Sequence, residues 1–129
     1  MIGKKILVVD DDVNLVEAIK VTLESRDFVV VTANDGDAGV AAAKRERPDL
    51  IILDIMMDKK HGYAACAEIN ADPELKNTPV VILSGVGQHL NEPEWTHQQG
   101  FTLEADVFLE KPFKPTELLT RIEEILRLK

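Results

Sequence analysis

Three consecutive carboxylates, Asp10 to Asp12, follow directly after the apolar run Ile6 to Val9, and another carboxylate, Asp54, ends a second apolar run. Like charges a few ångströms apart oppose one another's ionisation, so a buried strand that leads into such a cluster is electrostatically costly. A divalent cation would supply the compensating charge, and carboxylate-rich, partly hydrated oxygen sites suit Mg²⁺. We therefore predict a magnesium site formed by Asp10, Asp11 and Asp54.

A hydroxyl and an amine follow two further apolar runs. Ser84 ends the run that begins at Val80, and Lys111 comes two residues after Leu109. Taken singly, these are an ordinary hydroxyl and an ordinary surface lysine, and Asp12 is interpreted as the cap of a following helix. In open parallel sheets, however, ligands bind beyond the carboxyl ends of the strands. If these runs are strands of one such sheet, the acids, the hydroxyl and the amine meet at one edge.

Apolar runs without alternation are typical of strands buried on both faces, and the amphipathic or alanine-rich stretches between them are typical of helices. The predicted strands are Lys5–Val9, Phe28–Thr32, Leu50–Asp54, Val80–Ser84 and Val107–Leu109. The predicted helices begin after Asp12, run from about Asp35 to Arg47 and from about Tyr63 to Asn70, and begin again at about Thr116. This alternation indicates parallel strands joined by right-handed crossovers, so the fold class is α/β with helices on both faces of the sheet.

The composition excludes several classes of partner. The chain has 129 residues, 23 acidic and 15 basic, for a formal net charge of −8. No run of Lys and Arg forms a phosphate-binding surface, so direct nucleic-acid binding is not expected. No apolar stretch approaches the roughly 20 residues of a membrane span and no signal-peptide pattern is present, so we expect a cytoplasmic protein without a membrane partner. The single cysteine, Cys66, is interpreted as a small core residue.

Four segments, in this order along the chain, carry a resemblance to a known family: "ILVVDDD", "PDLIILDIMM", "PVVILSG" and "FLEKPF". Together they resemble the receiver domain of two-component response regulators, in particular single-domain regulators similar to those of chemotaxis. The resemblance implies a flavodoxin-like, doubly wound sheet of five parallel strands in the order 2-1-3-4-5. It also implies one receiver domain over residues 1–129 with no output domain in this chain. Such a protein is a signalling switch rather than an enzyme, although it catalyses its own phosphorylation and dephosphorylation.

The resemblance assigns a role to each matching residue. Asp54 is implied to be the phosphoacceptor, with Mg²⁺ bound by the side chains of Asp11 and Asp54 and by the backbone carbonyl of Met56. Asp10 is implied to act through metal-bound water. Lys111 would contact one phosphoryl oxygen and Ser84 would hydrogen-bond another, and Phe108 occupies the position of the family's switch aromatic residue.

The same resemblance implies partners. The phosphoryl group would come from a histidine kinase, a phosphotransfer protein or a small donor such as acetyl phosphate. Phosphorylation would then alter the binding of a downstream effector protein through the face that carries Ser84 and Phe108. A phosphorylation-dependent dimer is left open.

Some positions depart from the family pattern. Asp58 stands where a proline commonly follows the phosphoacceptor, His61 stands where an aspartate often precedes the glycine, and "EADVF" replaces the common entry to the fifth strand. The segment 86–105 contains Trp95 and is predicted to be irregular around the position of a helix.

Three alternatives remain open at the level of the sequence. A hydrolase of the aspartyl-phosphate type would usually carry an acid at the position of Met56. A pseudo-receiver would normally have lost one of the acid, hydroxyl or lysine positions. A flavin-binding relative would need a phosphate-binding loop where this chain has "DDDVN".

Overall fold

The computed structural model describes residues 3–54, 62–84, 107–110 and 113–128, which form five strands and four helices. In chain order the elements are β1 (Lys5–Val9), α1 (Val13–Glu24), β2 (Val29–Ala33), α2 (Gly36–Glu46), β3 (Leu50–Asp54), α3 (Gly62–Ala71), β4 (Val80–Ser84), β5 (Val107–Glu110) and α4 (Pro115–Leu128). The segment 86–105, with its predicted irregular structure, lies outside the described residues, as do Met56 and Lys111.

The strands form one parallel sheet in the order β2-β1-β3-β4-β5. The central strand β3 is fully enclosed, with all five of its residues buried, and four of the five residues of β1 are buried as well. Uninterrupted apolar runs suit such positions because helices cover both faces of a parallel sheet. The predicted α/β class is confirmed by this arrangement.

Two apolar layers enclose the sheet, and alternate residues of β1 belong to different layers. Leu7 and Val9 pack in one cluster with buried residues of α2 and α3, whereas Ile6 and Val8 pack in the other with buried residues of α1 and α4. Each fully buried Leu, Ile or Val contributes about 1.5–3 kcal/mol relative to its exposed state. The two layers therefore hold the strand ends, and the residues that follow them, in place.

Capping residues set the ends of two helices. The Asp12 carboxylate accepts a hydrogen bond from the Leu15 N–H (3.1 Å) at the start of α1, as the sequence predicted. The Asp35 carboxylate accepts one from the Ala38 N–H (2.7 Å) at the start of α2. Each cap satisfies a backbone donor that has no partner within the helix. Both helices thus begin at the carboxyl edge of the sheet and run back toward its amino edge.

Two strands differ from the prediction: β5 continues one residue further than predicted, to Glu110, and β2 is displaced by one residue at each end. The run Phe28–Thr32 was predicted, whereas β2 comprises Val29–Ala33. Phe28 is buried, at 4 % exposure, but its N–H donates to the Leu23 carbonyl at the end of α1 instead of joining the ladder. Its apolar side chain belongs to the core while its backbone belongs to the turn.

Helix α2 approaches the sheet closely at Gly39. A Cβ atom on Gly39 would lie 2.7 Å and 2.9 Å from the two methyl groups of Val9. Val9 is β-branched and fully buried, so it has little freedom to move aside. The absence of a side chain at position 39 is therefore what allows α2 to lie against β1.

β2 forms one edge of the sheet, and its sequence, VVVTA, carries no charge. Val29 is 47 % exposed there.

Within the described part of the chain, none of the helices combines the length and the apolar character that crossing a bilayer requires.

Candidate functional site

Three carboxylates meet at the carboxyl edge of the sheet. Asp10 and Asp11 follow β1 and Asp54 ends β3, and these two strands are neighbours in parallel register. Each residue offers a carboxylate oxygen, and the three oxygens lie within 4.8 Å of one another. Asp10 and Asp54 are buried, at 0 % and 3 % exposure, whereas Asp11 is exposed. The predicted acidic cluster is thus present, with one side open to solvent.

Backbone contacts from two other segments position Asp10. Its N–H donates to the carbonyl of Ala33 (3.1 Å) at the end of β2. Its carboxylate Oδ1 accepts a hydrogen bond from the N–H of Asp12 (3.0 Å), at the turn into α1. The turn into α1 therefore orients the buried carboxylate, and β2 holds the backbone of Asp10 in place.

The geometry of the cluster suits a hard divalent cation. Three carboxylates this close repel one another, and the repulsion is greatest for the two that are removed from water. Oxygen-only donor sets with an open side, where bound water can complete the coordination, are those that Mg²⁺ adopts in proteins. The residues present therefore fit a metal ion, whose charge would offset the repulsion.

Asp12 has a different role from its two neighbours. It is exposed, caps α1 and is not one of the three clustered acids. A carboxylate at this position also interacts favourably with the positive end of the helix dipole. The interpretation of Asp12 as a cap is confirmed.

We expect Asp12→Ala to lower the free energy of unfolding by about 1 kcal/mol, because the Leu15 N–H loses its acceptor. The response of the melting temperature to Mg²⁺ should stay the same, because the clustered acids are unchanged. Thermal melts with and without Mg²⁺ measure both quantities. A variant that melts like the parent without metal but loses the metal response would show that Asp12 is a metal ligand instead.

The hydroxyl position lies on β4, next to β3, and the switch position lies on β5, which pairs with β4. In the parallel register Asp54 is opposite Leu83, so Ser84 lies one residue further toward the carboxyl edge of the sheet. Phe108 is opposite Ile82, and Ser84 is opposite Glu110. The backbone therefore brings Asp54 and Ser84 to the same edge, as predicted. Met56 and Lys111 lie outside the described residues.

One contributor to the site was not predicted. The carbonyl of Ala33 positions Asp10, but a backbone acceptor has no side-chain signature that could identify it in a sequence. Only the pairing of β2 beside β1, with Val9 opposite Ala33, reveals it.

Comparisons with known proteins agree on one family. The family model of the response regulator receiver domain matches residues 6–123. The alkaline phosphatase synthesis transcriptional regulatory protein PhoP of Bacillus subtilis is 35 % identical over 125 residues, covering 97 % of this chain and 49 % of that protein. The DNA-binding regulator RpaA of Synechocystis is 36 % identical over 123 residues, covering 95 % of this chain and 49 % of that protein. The chain thus spans about half the length of these curated relatives.

Solved structures show the same similarity. The chemotaxis response regulator CheY4 of Vibrio cholerae superposes with a TM-score of 0.82 at 30 % identity, covering 95 % of this chain and 98 % of that one. The receiver domain of the sensor histidine kinase PA1611 from Pseudomonas aeruginosa, with a magnesium ion coordinated in its active-site cleft, superposes with a TM-score of 0.79 at 29 % identity. That match covers 95 % of this chain and 96 % of the other.

Proposed function

The chain belongs to the response regulator receiver domain family, and on that premise we propose that Asp54 is the phosphoacceptor of a phosphorylation-activated signalling switch. A histidine kinase, a phosphotransfer protein or a small donor such as acetyl phosphate would supply the phosphoryl group. The observation that carries the proposal is the position of Asp54. It is a buried carboxylate at the carboxyl end of β3, with an oxygen within 4.8 Å of a carboxylate oxygen of Asp10 and of Asp11.

We propose that the metal is Mg²⁺, bound by the side chains of Asp11 and Asp54 and by the backbone carbonyl of Met56. Asp10 would act through metal-bound water. The three-carboxylate donor set supports this assignment, as does the magnesium ion in the PA1611 receiver domain. When bound, the cation supplies positive charge against both the carboxylates and the incoming phosphoryl oxygens.

Phosphoryl transfer to Asp54 would be a single displacement at phosphorus. A carboxylate oxygen of Asp54 forms a bond to phosphorus while the bond from phosphorus to the donor histidine nitrogen, or to the acetate oxygen, breaks. The donor leaves with the electron pair of that bond. Lys111 would contact one phosphoryl oxygen through its ammonium, and Ser84 would donate its hydroxyl to another. The burial of Asp54 limits the access of water to the acceptor.

The output of such a switch is altered binding. Ser84 lies on β4 and Phe108 on the adjacent edge strand β5, so a change at the hydroxyl position has a direct structural route to that edge. Changing a conformational ratio from 1:99 to 99:1 requires about 5.5 kcal/mol of differential stabilisation. New contacts to a phosphoryl group at Ser84 and Lys111 would supply part of it.

We propose that the protein acts in the cytoplasm, on a partner protein rather than directly on nucleic acid.

The switch can be tested with Mg²⁺ and beryllofluoride, a mimic of the phosphoryl group, by recording backbone amide spectra. We expect the amides of β4 and β5 to shift together with those around Asp54, and Asp54→Asn to abolish these changes. Asp27→Asn is the matched control, because Asp27 lies in the left-handed region (φ 68°), which asparagine tolerates well. Changes confined to the neighbourhood of Asp54, with β5 unaffected, would contradict transmission through Ser84 and Phe108.

A further inference from the structure

A cleft of about 580 Å³ lies between α1 and α2, beside the acidic cluster but largely separate from it. Its floor consists of residues 32–34, at the carboxyl end of β2, together with Asp10. The volume falls within the range of about 300–1,000 Å³ that is usual for sites of small molecules. We call this cavity the α1–α2 cleft.

The two walls of the α1–α2 cleft run in the same direction, because both helices begin at the carboxyl edge of the sheet. Val13 on α1 and Ala38 on α2 line it near the starts of the helices, and Lys20 and Arg45 line it seven residues further along each one. Seven residues of helix span about 10 Å. The cleft therefore carries two cations toward one end, one from each helix, and the carboxylate of Asp10 toward the other.

Both cations are available to bind an anionic ligand. Lys20 is half-buried and forms no ion pair with any residue in the part of the chain that the structure describes. Arg45 directs its Nε to a carboxylate oxygen of Glu46 at 3.0 Å. That hydrogen bond is the main reason that the pKa of the Glu46 carboxyl lies below its usual range, and a hydrogen bond from Lys5 is the second. The two terminal amino groups of the Arg45 guanidinium remain for a second acceptor.

The remaining lining favours an apolar ligand body of low charge. Ala38, Ala41 and Ala42 have small side chains that leave the wall of α2 open, and Val16 of α1 also lines the cleft. Glu17 and Asp10 also line the cleft. Their two negative charges balance the two positive charges of Lys20 and Arg45, so the formal net charge of the lining is zero. A monoanion paired with Lys20 and Arg45 meets less repulsion from these two acids than a dianionic phosphate would.

We propose that the α1–α2 cleft is a second ligand site, which binds a small organic carboxylate with an apolar body. The carboxylate pairs with Lys20 and Arg45, and the apolar body lies against the alanines of α2. This site is distinct from the proposed phosphoacceptor and does not depend on it, although Asp10 borders both.

The probe is 4-phenylbutyrate, added to the whole chain while backbone amide spectra are recorded. We expect saturable shifts concentrated in residues 13–20, 32–34 and 38–45. The neutral analogue 4-phenylbutanol has the same apolar body and should bind at least tenfold more weakly, because it cannot form charge-assisted hydrogen bonds. This comparison requires no substitution and therefore does not depend on the folding of a variant.

Three variants locate the site. Lys20→Met combined with Arg45→Met should weaken binding of 4-phenylbutyrate at least tenfold, and Ala41→Leu should block it by filling the cleft from an exposed position. Lys44→Met is the matched control, since Lys44 is an exposed neighbour on α2 that does not line the cleft, and it should bind like the parent. Absence of saturable shifts, equal affinity for the alcohol, or unchanged binding in Ala41→Leu would overturn the proposal. Phosphorylation by acetyl phosphate would proceed whether or not the cleft binds a ligand. Failure of the cleft proposal is therefore distinguishable from failure of the proposed phosphoacceptor function.

Discussion

Incubation with acetyl phosphate and Mg²⁺ will add one phosphoryl group to the parent chain and none to the Asp54→Asn variant. An amide lacks the anionic oxygen that would attack phosphorus, and the substitution removes one carboxylate from the acidic cluster at the same time. The loss should therefore be complete. Intact-protein mass measurement reports the stoichiometry directly, and a time course gives the rate.

The controls for this experiment separate folding from chemistry. Asp27→Asn makes the same chemical change in the turn between α1 and β2 and should be phosphorylated like the parent. An unmodified mass for the parent, under conditions that phosphorylate another receiver domain, would exclude the phosphoacceptor role and favour the pseudo-receiver alternative. Phosphorylation that persists in Asp54→Asn would place the acceptor at another residue.

Mg²⁺ should raise the free energy of unfolding of the parent by about 2.7 kcal/mol when the Mg²⁺ concentration is about 100 times the dissociation constant of the site. The reason is that the three carboxylates come together only in the folded chain, so a metal ion held by them would bind that state and not the unfolded one. Asp11→Asn should abolish most of this gain while making the metal-free protein more stable, because it removes one of three mutually repelling charges. Thermal or denaturant melts over a series of Mg²⁺ concentrations measure both effects.

Asp12→Asn provides the matched control for this second experiment. Asparagine caps helices about as well as aspartate, so α1 keeps its cap while the neighbouring charge is removed. This variant should retain the full response to Mg²⁺. A parent whose melt does not respond to Mg²⁺ would refute the metal site, and an Asp11→Asn variant with an undiminished response would refute Asp11 as a ligand.

The central strands could be predicted because their burial leaves a clear signal. β1, β3 and β4 have the predicted bounds, since each is an uninterrupted apolar run that ends where the chain turns polar. β2 was misplaced by one residue because Phe28 is buried without joining the ladder. Hydrophobicity records burial of the side chain, whereas a strand is defined by its backbone hydrogen bonds, and at Phe28 the two differ.

The acidic cluster could be predicted for a topological reason. Once β1 and β3 are assigned to one parallel sheet, their carboxyl ends must lie at the same edge, and the acids that follow them must meet there. The close approach at Gly39, the Ala33 carbonyl and the α1–α2 cleft could not be predicted in this way. They depend on where helices and backbone atoms come to lie against one another, and no residue pattern encodes those distances.

The uncharged edge strand β2 makes net charge important for the solubility of the protein. Natural edge strands are often protected by lysine or proline, whereas VVVTA offers β-branched residues and backbone groups that another chain could pair with. Mutual repulsion between copies, each with a formal charge of −8, opposes such pairing at neutral pH. Close to the sequence pI of about 4.8 this repulsion vanishes, and salt screens it at any pH. Purification and storage well above this pH, at low ionic strength, will therefore keep the protein dispersed.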